Sequence, residues 1–215
     1  MTETPDLIVD GPTDAPVTVA LAHGAGVGHD SPFMTAMAQG VAADGVRVAR
    51  FEFPYMARMR REGGRRPPDK EATLLATFRA VLDALGPRER VVLAGKSMGG
   101  RMATRLAADL EGEGAPVAGA AALGYPFHPP GKPANLRIEH LQAIATPVLI
   151  VQGERDAFGT PGEVAGYSLA ESVRLRWERD GDHHFVPRKS AAATQQANWA
   201  DAAAALAAFA HEVAA

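Results

Sequence analysis

The chain has 215 residues and no cysteine, so disulfides, thiolate metal sites and cysteine nucleophiles are all excluded. It also lacks any apolar run near the ~20 residues that a membrane-spanning helix needs. The acidic N-terminal segment, residues 1–6, has neither the basic nor the apolar region of a signal peptide. The sequence therefore predicts a cytoplasmic protein without a membrane partner.

The chain also has no large excess of positive or negative charge. The formal net charge is -3 at pH 7, which argues against nucleic acid as a partner. Apolar residues make up 47% of the chain and charged residues 22%, the profile of a globular protein. Since no repeat or linker divides a chain of this length, we expect a single domain over residues 1–215.

Short apolar runs alternate with helix-compatible segments along the chain. Strands are expected at residues 7–9, 17–22, 46–53, 91–94, 117–123, 148–151 and, at a sheet edge, 173–177. Helices are expected at residues 32–43, 70–85, 102–108, 139–144, 163–169 and 190–211. Asp69 should cap the second helix, and residues 54–68 should be irregular. This alternation predicts an α/β fold, a mostly parallel sheet with helices on both faces.

A serine motif lies between a predicted strand and a predicted helix. The apolar run 91–94 leads into Gly95-Lys96-Ser97-Met98-Gly99, and a helix-compatible segment follows. A strand, a tight turn and a helix form the nucleophile elbow, which holds a catalytic serine in a strained turn. Glycine is needed on both sides of the serine, because a Cβ atom there would collide with neighbouring backbone.

Two other interpretations of this motif compete with the elbow. A bare G-x-S-x-G pattern occurs often by chance, so it needs supporting residues elsewhere in the chain. The run Gly95-Lys96-Ser97 also resembles the end of a phosphate-binding loop. That loop requires glycine at position 90, where this chain has Arg90. The spacing therefore excludes a phosphate loop and leaves Lys96 without a catalytic role.

An acid and a histidine follow the serine in the order that the elbow requires. Asp156 comes after the buried strand 148–151, and His183 and His184 lie in the loop after the next strand. An imidazole can take the proton of Ser97, and a carboxylate can fix the tautomer of that imidazole. The end of a strand holds a carboxylate more rigidly than a loop does, which favours Asp156. The other acids nearby are Glu154, Asp180 and Asp182.

The remaining requirement is an oxyanion hole of two backbone N–H groups. Met98 follows the nucleophile and supplies one of them. Ala25, in the loop after strand 17–22, is the candidate for the other, with Gly26 second. A dinucleotide-binding fingerprint is the alternative for this loop, but its third glycine would stand at His29.

Further side chains could contact a substrate or a partner. Five arginines could bind an anion or form a solvated loop: Arg58, Arg60, Arg61, Arg65 and Arg66. Arg101, in the elbow helix, is expected to anchor that helix by a salt bridge. Four other side chains could line an apolar pocket or pack in the core: Tyr55, Met56, Tyr125 and Phe127.

Taken together, five motifs resemble a known family. They are LAHGAG at 21–26, GKSMGGR at 95–101, GYPFHPPGKP at 124–133, QGERDAFG at 152–159 and DHHF at 182–185. The chain resembles the small α/β-hydrolases grouped with testis-expressed protein 30, which are allied to dienelactone hydrolase-like proteins. The resemblance implies a hydrolase core with little or no lid, a Ser97 nucleophile, an Asp156 acid and a His183 base.

We therefore predict a serine hydrolase that cleaves a small carboxylic ester or thioester through an acyl-enzyme, with Ser97, Asp156 and His183 as the triad. Tyr55, Tyr125 and Phe127 are expected to contact the substrate. No metal or organic cofactor is implied, and the sequence does not indicate an oligomeric state. The alternative is an interaction protein that keeps the fold while its activity is vestigial. The serine at the elbow, where dienelactone hydrolases have cysteine, argues against dienelactone as the substrate.

Overall fold

A seven-stranded sheet forms the centre of the computed structural model, which describes residues 4–214. Residues 1–3 of the acidic N-terminal segment lie outside this range. The strand order is β1-β3-β2-β4-β5-β6-β7; β1 runs antiparallel to β3, and the other neighbours are parallel. The strands are β1 Leu7–Asp10, β2 Thr18–Ala22, β3 Arg47–Phe51, β4 Val91–Lys96, β5 Gly119–Leu123, β6 Val148–Gly153 and β7 Val173–Glu178.

Helices cover both faces of this sheet. They are α1 Pro32–Ala43, α2 Pro54–Glu62, α3 Glu71–Leu85, α4 Met98–Gly112, α5 Pro161–Val164 and α6 Gln195–Val213. Phe78 of α3 and Leu106 of α4 belong to the core on one face. Met37 of α1 and Leu206 of α6 belong to the core on the other. The predicted α/β class, with a mostly parallel sheet between two helical layers, is confirmed.

The segment predicted to be irregular contains a helix. Helix α2 begins at Pro54, whose ring suits the first helical position, and ends at Glu62, where Gly63 caps it with a φ of 73°. Tyr55 and Met56 are its buried residues. The sequence did not predict this helix, because the arginines in its second half leave too few apolar positions for an amphipathic helical pattern. Pro54 at the start of the helix and Gly63 just after its end were the available signals.

Asp69 does not cap the helix that follows it. The residue at the N-cap of α3 is Lys70, and no side chain caps that end. Instead, the Asp69 carboxylate accepts a hydrogen bond of 2.8 Å from the backbone N–H of Tyr55 and pairs with Arg58. The prediction was wrong because it considered only the helix next in sequence. The carboxylate satisfies the first turn of α2, a helix that the sequence analysis had missed.

Three other predicted helices differ in extent. The segment predicted at 163–169 forms only α5, where Thr160 and Glu163 make a reciprocal capping box. The segment predicted at 139–144 is a 3-10 turn, Glu139–Gln142. Helix α6 begins later than predicted, because the Thr194 side chain caps it by accepting from the N–H of Ala197.

The connection between β5 and β6 is short, and its regular structure is the single 3-10 turn Glu139–Gln142. It therefore leaves the carboxyl ends of β4, β5 and β6 without a covering domain among residues 4–214. In the same part of the chain, no helix combines the length and the apolar character needed to cross a membrane.

The capping role of Asp69 predicts the effect of its removal. We expect Asp69→Ala to lower the free energy of unfolding by about 1 kcal/mol, because the first turn of α2 loses its acceptor. Urea denaturation followed by circular dichroism would measure this change. The matched control is Asp83→Ala, which removes only an exposed ion pair with Arg88 and should cost less than about 0.5 kcal/mol. Equal losses in the two variants would contradict the assignment.

Candidate active site

Ser97 lies in a strained turn between β4 and α4. Its backbone adopts φ 51° and ψ -112°, a combination that L-residues rarely occupy. A Cβ atom at Gly95 would overlap the backbone of Gly99. A Cβ atom at Gly99 would lie 2.5 Å from the carbonyl oxygen of His23. The two glycines therefore let α4 start directly against β4 and β2, as the nucleophile elbow requires.

His183 connects Ser97 to Asp156. Its Nε2 atom lies 2.9 Å from the Ser97 hydroxyl, and its Nδ1 atom lies 2.7 Å from Oδ2 of Asp156. Because a carboxylate only accepts hydrogen bonds, Nδ1 carries the proton and Nε2 accepts from the serine hydroxyl. The three side chains come from separate strand ends and form one continuous hydrogen-bonded chain. This geometry permits proton transfer from Ser97 to His183.

Asp156 is fully buried, and both of its carboxylate oxygens have further partners. Oδ2 also accepts from Nε2 of Gln152 at 3.0 Å, and Oδ1 accepts from the backbone N–H of Phe158 at 2.9 Å. The Gln152 amide in turn bonds both the N–H and the carbonyl of Tyr125. Gln152 thus fixes the acid relative to the end of β5. The sequence analysis missed this role, although a glutamine ending an apolar strand was a signal.

The loop after β7 holds His183 and His184 in different positions. The imidazole of His184 makes no hydrogen bond to Ser97 or Asp156 in the part of the chain that the structure describes. Burial and the nearby Lys96 lower the pKa of His184. Asp182 shapes the loop by accepting from the backbone N–H groups of His184 and Val186. The residues alone did not decide whether His183 or His184 contacts Ser97. In the structure, the histidine that contacts Ser97 is His183.

The other acids near the site have different partners. Asp180 binds Arg188 and Arg155, and Glu154 accepts from the backbone N–H of Asp180. These contacts stabilise the loop that follows β7. They leave Asp156 as the carboxylate that contacts the imidazole of His183.

His23 holds the candidate oxyanion loop after β2 through two hydrogen bonds of its imidazole. Nε2 of His23 accepts from the backbone N–H of Phe53 at 3.0 Å, and Nδ1 lies 2.6 Å from the carbonyl of Gly24. Burial lowers the pKa of His23, in keeping with a neutral ring that donates to Gly24 and accepts from Phe53. The hydroxyl of Tyr55 donates to the carbonyls of Gly24 and Ala25. These bonds point the loop carbonyls inward.

The backbone N–H groups of Ala25 and Met98 are the two predicted oxyanion donors. No acceptor among residues 4–214 bonds the backbone N–H of Ala25 or that of Met98. Met98 is the first residue of α4, so the positive end of the helix dipole adds to its N–H. Ala25 is exposed.

The predicted substrate contacts lie in the core. Tyr55, Tyr125 and Phe127 are each 0% exposed, so none presents surface to a ligand in this structure, in contrast to the expectation. The aromatic rings are stabilised by burial in the core, and the tyrosine hydroxyls find acceptors there. The Tyr125 hydroxyl, for example, donates to the carbonyl of Arg137 at 2.7 Å. Phe158, which the sequence analysis did not single out, is half-buried instead. Its ring centroid lies 4.4 Å from that of His183.

Most of the arginine-rich segment is neutralised by carboxylates. The ion pairs are Arg58 with Asp69, Arg60 with Glu52 and Asp30, and both Arg61 and Arg66 with Glu62. Since these guanidinium groups are already paired, the segment is poorly suited to bind an external anion. Arg101 anchors α4 by pairing with Glu71 of α3 at 2.8 Å, as expected from the sequence.

Fold and site together define a class of protein. Residues 15–211 match the model of a family described as an alpha/beta hydrolase domain, so the chain belongs to that family. The predicted α/β-hydrolase fold is confirmed. Among residues 4–214, no group of three or more histidine, aspartate or glutamate side chains is arranged to hold a metal ion.

Solved structures with the same fold include bacterial hydrolases. An alpha-beta serine hydrolase homologue from Coxiella burnetii is 19% identical, with a TM-score of 0.69 over 94% of this chain and 89% of that chain. A serine hydrolase without a lid from Xanthomonas campestris is 23% identical, with a TM-score of 0.68 over 96% and 88%. A dienelactone hydrolase from Anabaena variabilis is 20% identical, with a TM-score of 0.68 over 94% and 89%. At identities this low, the TM-scores establish a shared fold.

The contacts of Gln152 predict a loss of stability when its amide is removed. We expect Gln152→Leu to lower the free energy of unfolding by about 2 kcal/mol, because the buried N–H of Tyr125 and the Asp156 carboxylate lose partners. Thermal and urea denaturation would measure the loss. The exposed Gln142→Leu serves as the control and should stay within about 0.5 kcal/mol of the wild type. A wild-type stability for Gln152→Leu would contradict the network described.

Proposed function

We propose that this chain is a serine hydrolase that cleaves a carboxylic ester or thioester through an acyl-enzyme. The observation that supports it best is the chain of contacts from Ser97 through His183 to Asp156, at 2.9 Å and 2.7 Å. Residues 1–215 are proposed to act as one domain. The narrower kinship with testis-expressed protein 30 and a cytoplasmic location are part of the same proposal.

In the proposed reaction, His183 takes the hydroxyl proton while Ser97 attacks the substrate carbonyl carbon. The backbone N–H groups of Met98 and Ala25 then stabilise the oxyanion. His183 passes its proton to the leaving alcohol or thiol, and the acyl group stays on Ser97. Water, deprotonated by His183, attacks the acyl-enzyme and restores the serine. Asp156 holds the imidazole in the required tautomer throughout.

The site favours small or flexible apolar acyl groups. The absence of a covering domain over the strand ends in residues 4–214 leaves the proposed site open to solvent. Half-buried Phe158 provides an apolar surface directly beside His183. Val27, 44% exposed, adds apolar surface on the oxyanion loop. We propose that these two side chains, rather than buried Tyr55, Tyr125 and Phe127, contact the substrate.

A fluorophosphonate probe tests the nucleophile. We expect the wild type to be labelled and Ser97→Ala to remain unlabelled, because the probe reacts with an activated serine hydroxyl. Intact-protein mass spectrometry would measure the adduct. Ser190→Ala, at an exposed position, is the control and should react like the wild type. Folded wild type that resists labelling would refute the enzyme and favour the vestigial interaction protein.

Separate histidine variants test the base. We expect His183→Ala to reduce hydrolysis of p-nitrophenyl esters by at least about 100-fold, since general base catalysis contributes roughly 10²–10⁴-fold. His184→Ala should retain most of the activity, because its ring bonds neither Ser97 nor Asp156. Steady-state kinetics over esters of increasing chain length, beside a thioester, would also define the acyl group. If His184→Ala alone abolished turnover, the assignment of the base would be wrong.

A further inference from the structure

Lys96, next to the proposed nucleophile, is buried where an apolar residue would be expected. It ends β4 on the face of the sheet that carries Val92 and Ala94 and packs against α1 and α6. Its side chain is almost completely enclosed, with 3% exposure. Its Nζ lies 5.6 Å from the ring centroid of Phe33 and 5.8 Å from that of Phe185. The mechanism above gives this lysine no role.

The Nζ atom of Lys96 has one hydrogen-bond acceptor among residues 4–214, and that acceptor belongs to the proposed base. Nζ donates to the backbone carbonyl of His183 at 2.6 Å. The bond joins residues 87 positions apart and connects the end of β4 to the loop after β7. The residue before the nucleophile thus contacts the backbone of the residue whose side chain bonds the nucleophile.

Neighbouring glycines leave room for this contact. A Cβ atom at Gly124, which adopts a φ of 73°, would lie 2.6 Å from Nζ of Lys96 and 3.0 Å from the His183 carbonyl oxygen. A Cβ atom at Gly24 would lie 3.5 Å from Cγ of the lysine. The loops after β2 and β5 therefore both pack around the lysine side chain. Lys96 lies at the point where these two loops meet the histidine loop.

Burying this lysine is unfavourable for folding. Burial lowers the pKa of Lys96 to about 7, although the carboxylates of Asp156 and Asp182 act in the opposite direction. An apolar side chain at this position would avoid the desolvation of an amine. A residue that destabilises the fold while contacting the proposed base is expected to contribute to activity rather than to stability.

We propose that Lys96 is a positioning residue that holds the backbone of His183, so that the imidazole stays within hydrogen-bond reach of Ser97. This inference rests on the proposed serine hydrolase function. A protonated amine makes the stronger, charge-assisted bond to the carbonyl. The charged or titratable groups around it are Asp156, Asp182, His183 and His184. Loss of the bond frees the loop and lengthens the path of proton transfer.

The effect on folding has a definite sign. The folded-state pKa of Lys96, about 7, lies below its ordinary value of 10.5, so the unfolded chain binds more protons between these two pH values. The destabilisation is complete below pH 7 and is relieved as the pH rises toward 10.5. Lys96→Met removes the ionisable group. We therefore expect a higher melting temperature for this variant at pH 7, and a difference that shrinks as the pH increases.

The experiment combines fluorophosphonate labelling rates with melting temperatures for wild type and Lys96→Met. We expect labelling to slow by about tenfold or more at pH 7, since small misplacements of catalytic groups have large effects on rate. The ratio of wild-type to variant rates should be larger at about pH 6 than at about pH 9, where the amine has lost its charge. Lys189→Met, an exposed lysine in the segment after His183, is the matched control and should label like the wild type.

The outcomes separate this inference from the proposed function. A Lys96→Met variant that labels at the wild-type rate would overturn the positioning role while leaving the hydrolase intact. A variant that melts at a lower temperature and loses rate equally at all pH values would identify a purely structural lysine and would also overturn it. Folded wild type that does not label at all would refute the hydrolase, and with it this inference.

Discussion

Three backbone segments approach one another closely at the elbow around Ser97. Strand β4, the start of α4 and the end of β2 meet with so little space that only glycine fits at positions 95 and 99. The turn between them places Ser97 at a φ of 51°, which costs roughly 1–3 kcal/mol. Packing on both faces of the sheet must supply that energy. In return, the hydroxyl projects from the carboxyl edge of the sheet, where the other strand ends converge.

The polar groups at that edge are held by bonds among themselves. Asp156 is fully buried, and such a carboxylate is tolerated only when its oxygens are satisfied. Gln152 and the backbone of Phe158 provide this support, as His23 does for the oxyanion loop. Gln152 lies next to the end of β6, and His23 directly follows β2. The ends of β2 and β6 therefore help to determine the positions of the acid and of the candidate oxyanion loop.

The sequence predicted those parts of the site that depend on strand ends. Periodicity located the strands, and parallel strands bring their carboxyl ends together, so the sequence alone predicted that Ser97, Asp156 and His183 lie close to one another. The partners of Asp69, Gln152 and Phe158 could not be predicted, because they depend on which way side chains point across different elements. The same limit explains why Tyr55 and Tyr125 were wrongly expected to contact a substrate. Their hydroxyls donate to backbone carbonyls inside the protein. Aromatic type and proximity to the site did not distinguish burial from substrate contact.

The histidine loop differs from the rest of the site, because it follows the edge strand β7 and cannot rely on a neighbouring strand beyond it. Contacts within and next to the loop hold it instead. Asp182 accepts a hydrogen bond from the loop backbone, and Phe185 adopts a φ of 64°. Asn198 of α6 donates to the Phe185 carbonyl. These contacts act on the outer side and the far end of the loop. Lys96 reaches the loop from the sheet, directly at His183. The proposed proton transfer depends on the position of this loop, so a contact with the element that carries Ser97 would stabilise the required geometry. Lys96, directly before Ser97, supplies such a contact through its bond to the His183 carbonyl.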